Sequence, residues 1–348
     1  MKIHPRFKLN GKSYSNKALK EVANGLLKDD ASYKKAIGEF LLEWLNSSES
    51  IIVSTSGSTG NPKKIHLKKE QMLNSAIATG AFFKLKEGDT ALLCLPCHFI
   101  AGKMMLVRAM VLGLELDYVA SSSSPLDNND KSYDFAAIVP LQATNSIKKL
   151  DVIDKLIIGG APINTELENK LKALKTSIFE TYGMTETITH IAVKKLGDSY
   201  FKTLPDITLK KDDRECLIIH APKISNEEVV TNDIVDILSN NSFKWLGRYD
   251  NVINSGGVKL IPEQIEAKLA SVVENRFFVA GIKEKTLGQK LVLIVEGSSD
   301  SKSILEKIKE NKALERYEIP KAVFSLPQFS ITRNGKIKRK ETLKLLNS

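Results

Sequence analysis

The sequence predicts an α/β fold: a large N-terminal α/β domain with sheets flanked by helices, followed by a small α+β domain. From residue 51 onward, short apolar runs alternate with segments whose apolar residues recur at helical spacing. Continuously apolar strands separated by helices are typical of a sheet that helices cover on both faces. Beyond about residue 200 the apolar runs become shorter, and a length of 348 residues by itself favours two domains.

The predicted elements follow this division in order. Residues 1–50 hold short polar segments and two amphipathic helices, the second near 33–45. The N-terminal domain is predicted to contain strands at 51–53, 91–95, 136–139, 155–158, 216–220, 234–238 and 243–246, with helices at 69–82, 104–112 and 165–174. The C-terminal domain is predicted to contain strands at 277–282, 291–296 and 322–326, with helices at 262–271 and 301–312. We place the boundary near Asp250, which gives domains 1–249 and 250–348.

The composition indicates which kinds of partner and which cellular location to expect. The net charge of +10 suits an anionic partner, but the aromatic content is only 7% and no base-recognition motif is present, so nucleic acid is not expected. The three cysteines form no disulfide framework, which suits a reducing cytoplasm. The N-terminus lacks the apolar core of a secretory signal, and no apolar run is long enough to span a membrane.

A loop rich in glycine and hydroxyl residues directly follows the apolar run at 51–53. It reads STSGSTGNPK from Ser54 to Lys63. Glycines let backbone N–H groups turn toward an anion, hydroxyls donate hydrogen bonds, and a lysine adds positive charge. The residues that could hold a phosphate are Ser56, Gly57, Ser58, Thr59, Gly60 and Lys63. The spacing differs from that of the P-loop, and a flexible surface loop of the same composition is the alternative.

Two further motifs follow predicted strands. The first, GGAP at 159–162, places glycines at the carboxyl end of a strand, where a flat ligand can approach closely. A plain turn into the next helix is the alternative. The second, YGMTE at 182–186, offers a ring that could stack on a base, a hydroxyl for a phosphate and a carboxylate for magnesium. Its alternative is an ordinary strand-to-helix transition with Tyr182 in the core.

Three charged residues complete the set of candidates. Asp233 and Arg248 could grip a ribose, since a carboxylate that accepts from two adjacent hydroxyls recurs in nucleotide sites. Each of them alone could equally be a solvated surface charge. Lys336 follows a glycine within the basic segment 331–339, and it could be presented on a turn into a site elsewhere. A hydrated basic tail is the alternative.

Together these motifs resemble those of the acyl-adenylate-forming family, which comprises acyl- and aryl-CoA ligases, luciferases and adenylation domains. The similarity rests on the order SGSTGNPK, GGAP, YGMTE, TND, GRYDNVINSGGVKLIPEQIE and RNGKIKR. These segments run from Ser54 to Arg339 and so span nearly the whole chain. The resemblance implies ATP, Mg²⁺ and CoA as the molecules that the chain uses, with a small carboxylic acid as substrate.

The resemblance also implies a role for each matched residue. Residues 56–60 and Lys63 would form the phosphate loop, beside Gly160 and Ala161. Tyr182 would stack on adenine, Thr185 would contact the α-phosphate, and Glu186 would bind magnesium, while Asp233 and Arg248 would hold the ribose. Lys336 would bridge the substrate carboxylate and the α-phosphate. Asp250 would be the hinge of a mobile C-terminal domain, and Gly256, Gly257 and Lys259 would face CoA.

The sequence departs from the family pattern in two places. The family commonly carries a Pro-x-x-His-x-x-Gly segment, whereas here Phe99 occupies that position and His98 comes one residue early. The part of the chain before the phosphate loop is also far shorter than is usual in the family. None of the matched residues lies there, so we expect the ATP chemistry to be retained. The shortening could open one wall of the acyl pocket or change oligomerisation.

The segment from Leu95 to Arg108 is most similar to that of ligases that act on o-succinylbenzoate in menaquinone biosynthesis. That substrate carries two carboxylates, of which one is activated and the other requires a cationic or hydrogen-bonding partner. The candidates for the acyl site are Lys103, Arg108, His190 and Phe99. Snorkelling of Lys103 and Arg108 to the surface is the alternative. A ligase for another aryl or fatty acid, an adenylation domain that loads a carrier protein, and an inactive binding module also remain open.

Overall fold

The computed structural model describes residues 3–54, 64–331 and 337–347. Its first elements are a short antiparallel pair, β1 (Lys8–Leu9) and β2 (Lys12–Ser13), and two helices, α1 (Asn16–Leu27) and α2 (Ser32–Leu45). The Ser15 side chain caps α1 by accepting a hydrogen bond from the Ala18 backbone. Helix α2, whose position was predicted, buries one apolar face from Ala36 to Leu45.

A two-stranded antiparallel sheet follows, formed by β3 (Ser50–Ser54) and β4 (Lys64–Lys68). The pairing runs from Ser50–Lys68 to Ser54–Lys64. The strand predicted at 51–53 is therefore present, but it pairs with β4 and not with the large sheet. The predicted phosphate-loop residues Ser56, Gly57, Ser58, Thr59, Gly60 and Lys63 lie outside the described residues.

The next elements build the parallel half of the large sheet. In chain order they are α3 (Lys69–Phe83), β5 (Thr90–Leu93), α4 (Ile100–Leu112), β6 (Glu115–Tyr118), β7 (Tyr133–Ile138), α5 (Pro140–Asn145), β8 (Ile153–Ile158), α6 (Thr165–Leu171) and β9 (Ser177–Gly183). Neighbouring strands in the order β9-β8-β7-β5-β6-β1 all pair parallel. Their carboxyl ends therefore meet at one edge, which is where open α/β sheets bind ligands.

Six antiparallel strands extend the same sheet. They are β10 (His190–Lys195), β11 (Phe201–Thr203), β12 (Thr208–Lys211), β13 (Cys216–His220), β14 (Val229–Ser239) and β15 (Ser242–Arg248). The complete 13-stranded order is β12-β13-β14-β15-β11-β10-β9-β8-β7-β5-β6-β1-β2. The predicted α/β class, with a large sheet flanked by helices, is thus confirmed.

A third sheet begins after β15. It contains β16 (Ile253–Ser255), β17 (Val258–Leu260), β18 (Phe277–Glu284), β19 (Gly288–Glu296) and β20 (Val323–Leu326), with helices α7 (Pro262–Leu269), α8 (Ser301–Glu310) and α9 (Arg339–Lys344). Sheet membership changes between Arg248 and Ile253, across a 3₁₀ turn at Tyr249–Asn251. This change supports the domain boundary near Asp250, which remains our proposal.

Helix α4 lies deep in the main apolar core. Every residue from Gly102 to Met110 is buried, including Lys103 and Arg108. The helix ends at Gly113, whose φ of +75° is a left-handed conformation that glycine adopts without strain. In the parts of the chain that the structure describes, no helix has the length and apolar character needed to cross a membrane.

Candidate functional site

The sheet topology brings the GGAP and YGMTE motifs together. Strands β8 and β9 are parallel neighbours in which Ile158 pairs with Glu180, so Gly159 lies beside Thr181 at the carboxyl edge. A side chain at Gly159 would collide with the Thr181 hydroxyl, and Gly160 has a φ of +85°. Both glycines are therefore required by this packing and turn.

The second motif ends in a tight 3₁₀ turn at Thr185–Thr187. The buried Thr187 hydroxyl accepts from the Met184 N–H (3.0 Å) and donates to the Thr189 carbonyl (2.8 Å). Ile188 completes the turn with a φ of +67°. The turn leaves Thr185 half-buried and Glu186 exposed. The Glu186 carboxylate has no partner among the residues that the structure describes.

Three of the predicted nucleotide residues form one cluster, the Asp233 hub: Asp233, Tyr182 and Arg248. Asp233 is 5% exposed and pairs in register with Arg248 across β14 and β15. The Tyr182 hydroxyl donates to Asp233 Oδ2 at 2.6 Å, and Arg248 Nε lies 3.4 Å from Oδ1. Burial and the neighbouring Asp233 charge raise the pKa of Tyr182, so the phenol is a donor at neutral pH.

Trp245 is a fourth member of this hub that the sequence analysis missed. Its Nε1–H donates to Asp233 Oδ1 at 3.1 Å. Trp245 pairs with Val235, two residues from Asp233, but only after the β14–β15 register shifts between Ser239 and Ile237 and again between Val235 and Ile234. The Asn-Asn turn at 240–241 therefore did not indicate this contact. Both Asp233 oxygens already receive protein donors in this structure. A ribose hydroxyl at Asp233 would use a remaining lone pair of these oxygens or replace one of the donors.

The predicted hinge lies next to the hub. Asp250 is exposed within the 3₁₀ turn, where its Oδ2 accepts from Asn232 Nδ2 at 3.2 Å. Arg248 Nη2 is 3.7 Å from the same oxygen. The Arg214 guanidinium stacks 5.2 Å from the centre of the Tyr249 ring. These contacts hold the turn to Asn232 on β14 and to Arg214, which lies just before β13.

The predicted CoA-side residues form a separate hairpin. Gly256 and Gly257 are the two residues between β16 and β17, and both have positive φ, at +58° and +84°. Such a two-residue turn suits glycine because L side chains disfavour these angles. Lys259 is exposed on β17, opposite Asn254. Lys336 lies outside the described residues.

Arg108 is a buried cation: it is 1% exposed and pairs with no carboxylate among the described residues. Its Nε donates to Thr79 Oγ1 at 3.4 Å, and its Nη2 contacts Thr189 Oγ1 at 3.3 Å and His190 Nδ1 at 3.4 Å. Among the described residues, its Nη1 meets only the weak acceptor Met105 Sδ, at 3.6 Å. Burial lowers the pKa of Arg108 to about 10, so the guanidinium is still charged at neutral pH.

His190 lies directly against Arg108 and is 5% exposed. Burial, with a further contribution from the Arg108 charge, holds the pKa of His190 well below 6.5. The imidazole is therefore neutral at pH 7, and His190 does not supply a second positive charge. Its ring lies 6.4 Å from that of Phe83, which in turn lies 5.1 Å from that of Phe179.

The other two predicted acyl-site residues lie apart from this cluster. Lys103 is five residues before Arg108 on α4, about 140° around the helix. Its Nζ lies 3.3 Å from Glu43 Oε2 and 4.6 Å from the centre of the Phe40 ring, so it is already paired. Phe99 is the residue before α4 and is 37% exposed, and the preceding His98 is also exposed. The structure groups Arg108 with His190 and gives Lys103 a different partner.

A polar groove lies at the opposite edge of the sheet. It has a volume of about 470 Å³ and is lined by residues at the amino ends of β5, β7 and β8, among them Thr90, Asp134 and Asp154. None of the predicted site residues that the structure describes lines it. The GGAP and YGMTE motifs meet at the carboxyl edge and not at this groove.

Comparisons with known proteins agree with the motifs. A family model described as "AMP-binding enzyme" matches residues 22–219. The 2-succinylbenzoate–CoA ligase of Haemophilus influenzae is 28% identical over 323 residues, an alignment that covers 82% of this chain and 68% of that protein.

Solved structures share the fold. The acyl-CoA synthetase (AMP-forming)/AMP-acid ligase II-like protein from Dyadobacter fermentans is 35% identical with a TM-score of 0.62, covering 94% of this chain and 98% of that chain. The O-succinylbenzoate coenzyme A synthetase (MenE) from Bacillus subtilis, in complex with ATP and magnesium ion, is 20% identical with a TM-score of 0.73. The alignment covers 84% of this chain and 69% of that chain. Because the family model spans more than half of the sequence and a relative above 30% identity aligns over nearly its whole length, the chain belongs to the AMP-binding enzyme family.

Proposed function

We propose that the chain is an ATP-dependent acid–CoA ligase that activates o-succinylbenzoate as an acyl-adenylate and transfers it to CoA, in menaquinone biosynthesis. The observation that carries this proposal is the buried Arg108 guanidinium, which lacks a carboxylate partner among the described residues. The similarity to 2-succinylbenzoate–CoA ligases supports the same substrate.

The electrostatics of Arg108 favour a substrate with a second carboxylate. Removing a guanidinium from water is costly unless an anion and good hydrogen bonds compensate it. Three of its contacts are to neutral groups, and within the described part of the chain Nη1 faces only Met105 Sδ. A carboxylate oxygen at Nη1 would replace a weak acceptor with a charged one. A long-chain fatty acid has no such anion to offer.

The surroundings of Arg108 also suit an aromatic acid. Phe83 is in edge contact with both the His190 and Phe179 rings, at centroid distances of 6.4 and 5.1 Å. Aromatic rings favour such edge-to-face arrangements with one another. A substrate ring beside Phe83 and Phe179 would carry its own carboxylate toward Arg108.

In the first half-reaction the other substrate carboxylate attacks the α-phosphate of ATP, and pyrophosphate leaves. Two anions must approach each other, so the catalytic requirement is mainly electrostatic. We assign Lys336 and Lys63 as cations for this step, and Thr185 as the α-phosphate contact. Glu186 fits a magnesium ligand because it is exposed and unpaired within the described residues, and Mg²⁺ is commonly held by one or two carboxylates together with substrate phosphates. The bound ion would offset charge on the phosphate oxygens.

In the second half-reaction the CoA thiol attacks the acyl-adenylate carbonyl, and AMP leaves. We assign the glycine hairpin at Gly256 and Gly257, together with Lys259, to the CoA side of the site. Rotation about Asp250 would withdraw Lys336 and admit the thiol, a gating motion of the kind that domain closure provides. We also propose a cytoplasmic location, which the free cysteines Cys94, Cys97 and Cys216 support.

The test is pyrophosphate release with Mg-ATP and CoA across a panel of acids: o-succinylbenzoate, 3-benzoylpropionate, benzoate, and medium- and long-chain fatty acids. 3-Benzoylpropionate is the matched control, since it has the same skeleton without the ring carboxylate. We expect CoA-dependent turnover with strong preference for o-succinylbenzoate. Preference for a fatty or simple aryl acid would contradict the assigned substrate, and adenylation that CoA cannot discharge would contradict the ligase assignment.

A further inference from the structure

The acceptors around Arg108 are not equivalent. The Thr79 and Thr189 hydroxyls can each rotate, whereas the ring of His190 is a rigid acceptor packed against Phe83. His190 is also the acceptor that faces Arg108 from β10, across the space between the large sheet and α4. Helix α3 supplies Thr79 on the other side of the imidazole, 3.5 Å from Nε2.

His190 Nδ1 has two polar neighbours, Arg108 Nη2 at 3.4 Å and Thr189 Oγ1 at 3.5 Å. A guanidinium can only donate, so a hydrogen bond from Nη2 requires that Nδ1 is the unprotonated nitrogen. The ring proton is therefore on Nε2, which points to Thr79 Oγ1. Thr79 in turn donates to the Ser75 carbonyl at 2.9 Å, which leaves its oxygen free to accept from Nε2 and from Arg108 Nε. In this arrangement His190 accepts from Arg108 through Nδ1 and donates to Thr79 through Nε2, as a neutral imidazole does.

We propose that His190 is a positioning residue for substrate selection: its Nδ1 holds Nη2 of Arg108, so that the Nη1 edge stays directed at the second carboxylate of the substrate. This inference rests on the proposed function. His190 then acts through Arg108 and does not itself bind the carboxylate. A guanidinium fixed before the substrate arrives loses less conformational freedom on binding, which favours the diacid over the monoacid.

The experiment compares kcat/KM for o-succinylbenzoate with kcat/KM for 3-benzoylpropionate, in wild type and in three variants at His190. His190→Leu removes the acceptor. His190→Asn carries an amide oxygen at the distance from the backbone of Nδ1, whereas His190→Gln carries it near the position of Nε2. We expect the diacid/monoacid ratio to fall about tenfold or more in His190→Leu and His190→Gln, and to stay within about threefold of wild type in His190→Asn.

Several results would overturn the inference. An unchanged ratio in His190→Leu, equal losses for the two acids, or equally low ratios in His190→Asn and His190→Gln would each do so. If His190→Leu fails to fold, as judged by its thermal melt, the contrast between Asn and Gln decides alone. Arg108→Met separates the two proposals. An unchanged diacid/monoacid ratio in Arg108→Met would contradict the proposed function itself. A collapsed ratio in Arg108→Met together with a normal ratio in His190→Leu would contradict only the role of His190.

Discussion

At the scale of single residues, two buried charges define the candidate site, and they are compensated differently. Each Asp233 oxygen accepts a hydrogen bond, from Tyr182 or Trp245, and Arg248 adds a positive charge. Arg108 has only neutral acceptors among the described residues. A buried charge without a counter-ion is costly, and a ligand of opposite charge would compensate it. We propose that Asp233 organises the nucleotide side of the site and that Arg108 marks the acyl side.

Tyr182→Phe tests how much the hydrogen bond from Tyr182 to Asp233 contributes to stability. The variant removes the 2.6 Å donor and leaves a buried carboxylate oxygen short of a partner. We expect a loss of about 1–3 kcal/mol in the free energy of unfolding, measured by urea titration. Tyr249→Phe is the matched control, since Tyr249 is 40% exposed, and it should change stability by less than about 0.5 kcal/mol. Equal effects in the two variants would contradict the role given to Asp233.

His190 provides a pH-dependent prediction at the same scale. Its pKa in the folded chain lies well below 6.5, so the unfolded chain binds more protons near and below that pH. Stability must then rise with pH up to about 6.5 and fall below it, by about 1.4 kcal/mol per pH unit while the folded imidazole stays neutral. The His190→Asn variant has no titrating group at this position. The unfolding free energy of wild type should therefore drop by about 2 kcal/mol more than that of the variant between pH 7.5 and pH 5. Parallel pH profiles would refute the neutral, buried imidazole.

At the scale of elements, helix α7 joins the residues after the hinge to the end of the chain. Arg339, at the start of α9, donates to both oxygens of Glu266 at 2.6 and 2.7 Å. Glu266 Oε1 also accepts from the Val279 N–H at 2.8 Å. One turn earlier on α7, Glu263 Oε1 accepts from Asn251 at 2.6 Å. Burial raises the pKa of Glu266, and the Arg339 charge opposes that rise. The buried Glu266 carboxylate therefore relies on Arg339 to compensate its charge.

Arg339→Met should therefore destabilise the C-terminal unit strongly. It leaves Glu266 buried without its cation, and we expect a loss of about 3–5 kcal/mol in the free energy of unfolding, followed by circular dichroism during urea titration. Lys170→Met breaks an exposed pair with Glu166 on α6 and should cost less than about 0.5 kcal/mol. Adding Glu266→Leu to Arg339→Met should recover much of the loss. Failure of that rescue would contradict the electrostatic origin of the effect.

The elements that the sequence predicted are the ones with strong periodicity or long apolar runs. Helix α3 and strand β8 agree closely with the predicted 69–82 and 155–158. Strand β6 was missed because its four residues, Glu115–Tyr118, are half polar and gain their stability from neighbours in the sheet. The order in which distant strands join one sheet depends on long-range packing, which a local pattern does not contain.

At the scale of the whole molecule, the sheet topology brings together residues that the sequence identified separately. Tyr182 and Asp233 are 51 residues apart, yet they share a hydrogen bond. Their grouping was predicted only through the family resemblance. Trp245 and Thr79 were not predicted, because each is an ordinary residue of a strand or helix until the packing brings it to a charge. Lys103 is the converse case, in which a suggestive position proved to have a structural partner in Glu43.

The two half-reactions give a prediction at this scale. If Lys336 bridges the carboxylate and the α-phosphate, Lys336→Ala should slow adenylation, measured as pyrophosphate exchange, by about 10²–10³-fold. Thioester formation from supplied acyl-adenylate should be largely retained, because the C-terminal domain would have rotated Lys336 away. Lys338→Ala, two residues further on, is the control. Equal losses in both half-reactions would rule out the assigned role of Lys336.

The measurement that tests the central claim most directly is the ratio of kcat/KM for o-succinylbenzoate to that for 3-benzoylpropionate in wild type, Arg108→Met and Lys103→Met. The two variants make the same substitution on the same helix, but only Arg108 lacks a carboxylate partner within the described residues. We predict a high ratio in wild type, a fall of about 10²-fold in Arg108→Met, and no comparable fall in Lys103→Met. A low ratio in wild type, or one that survives in Arg108→Met, would contradict the account.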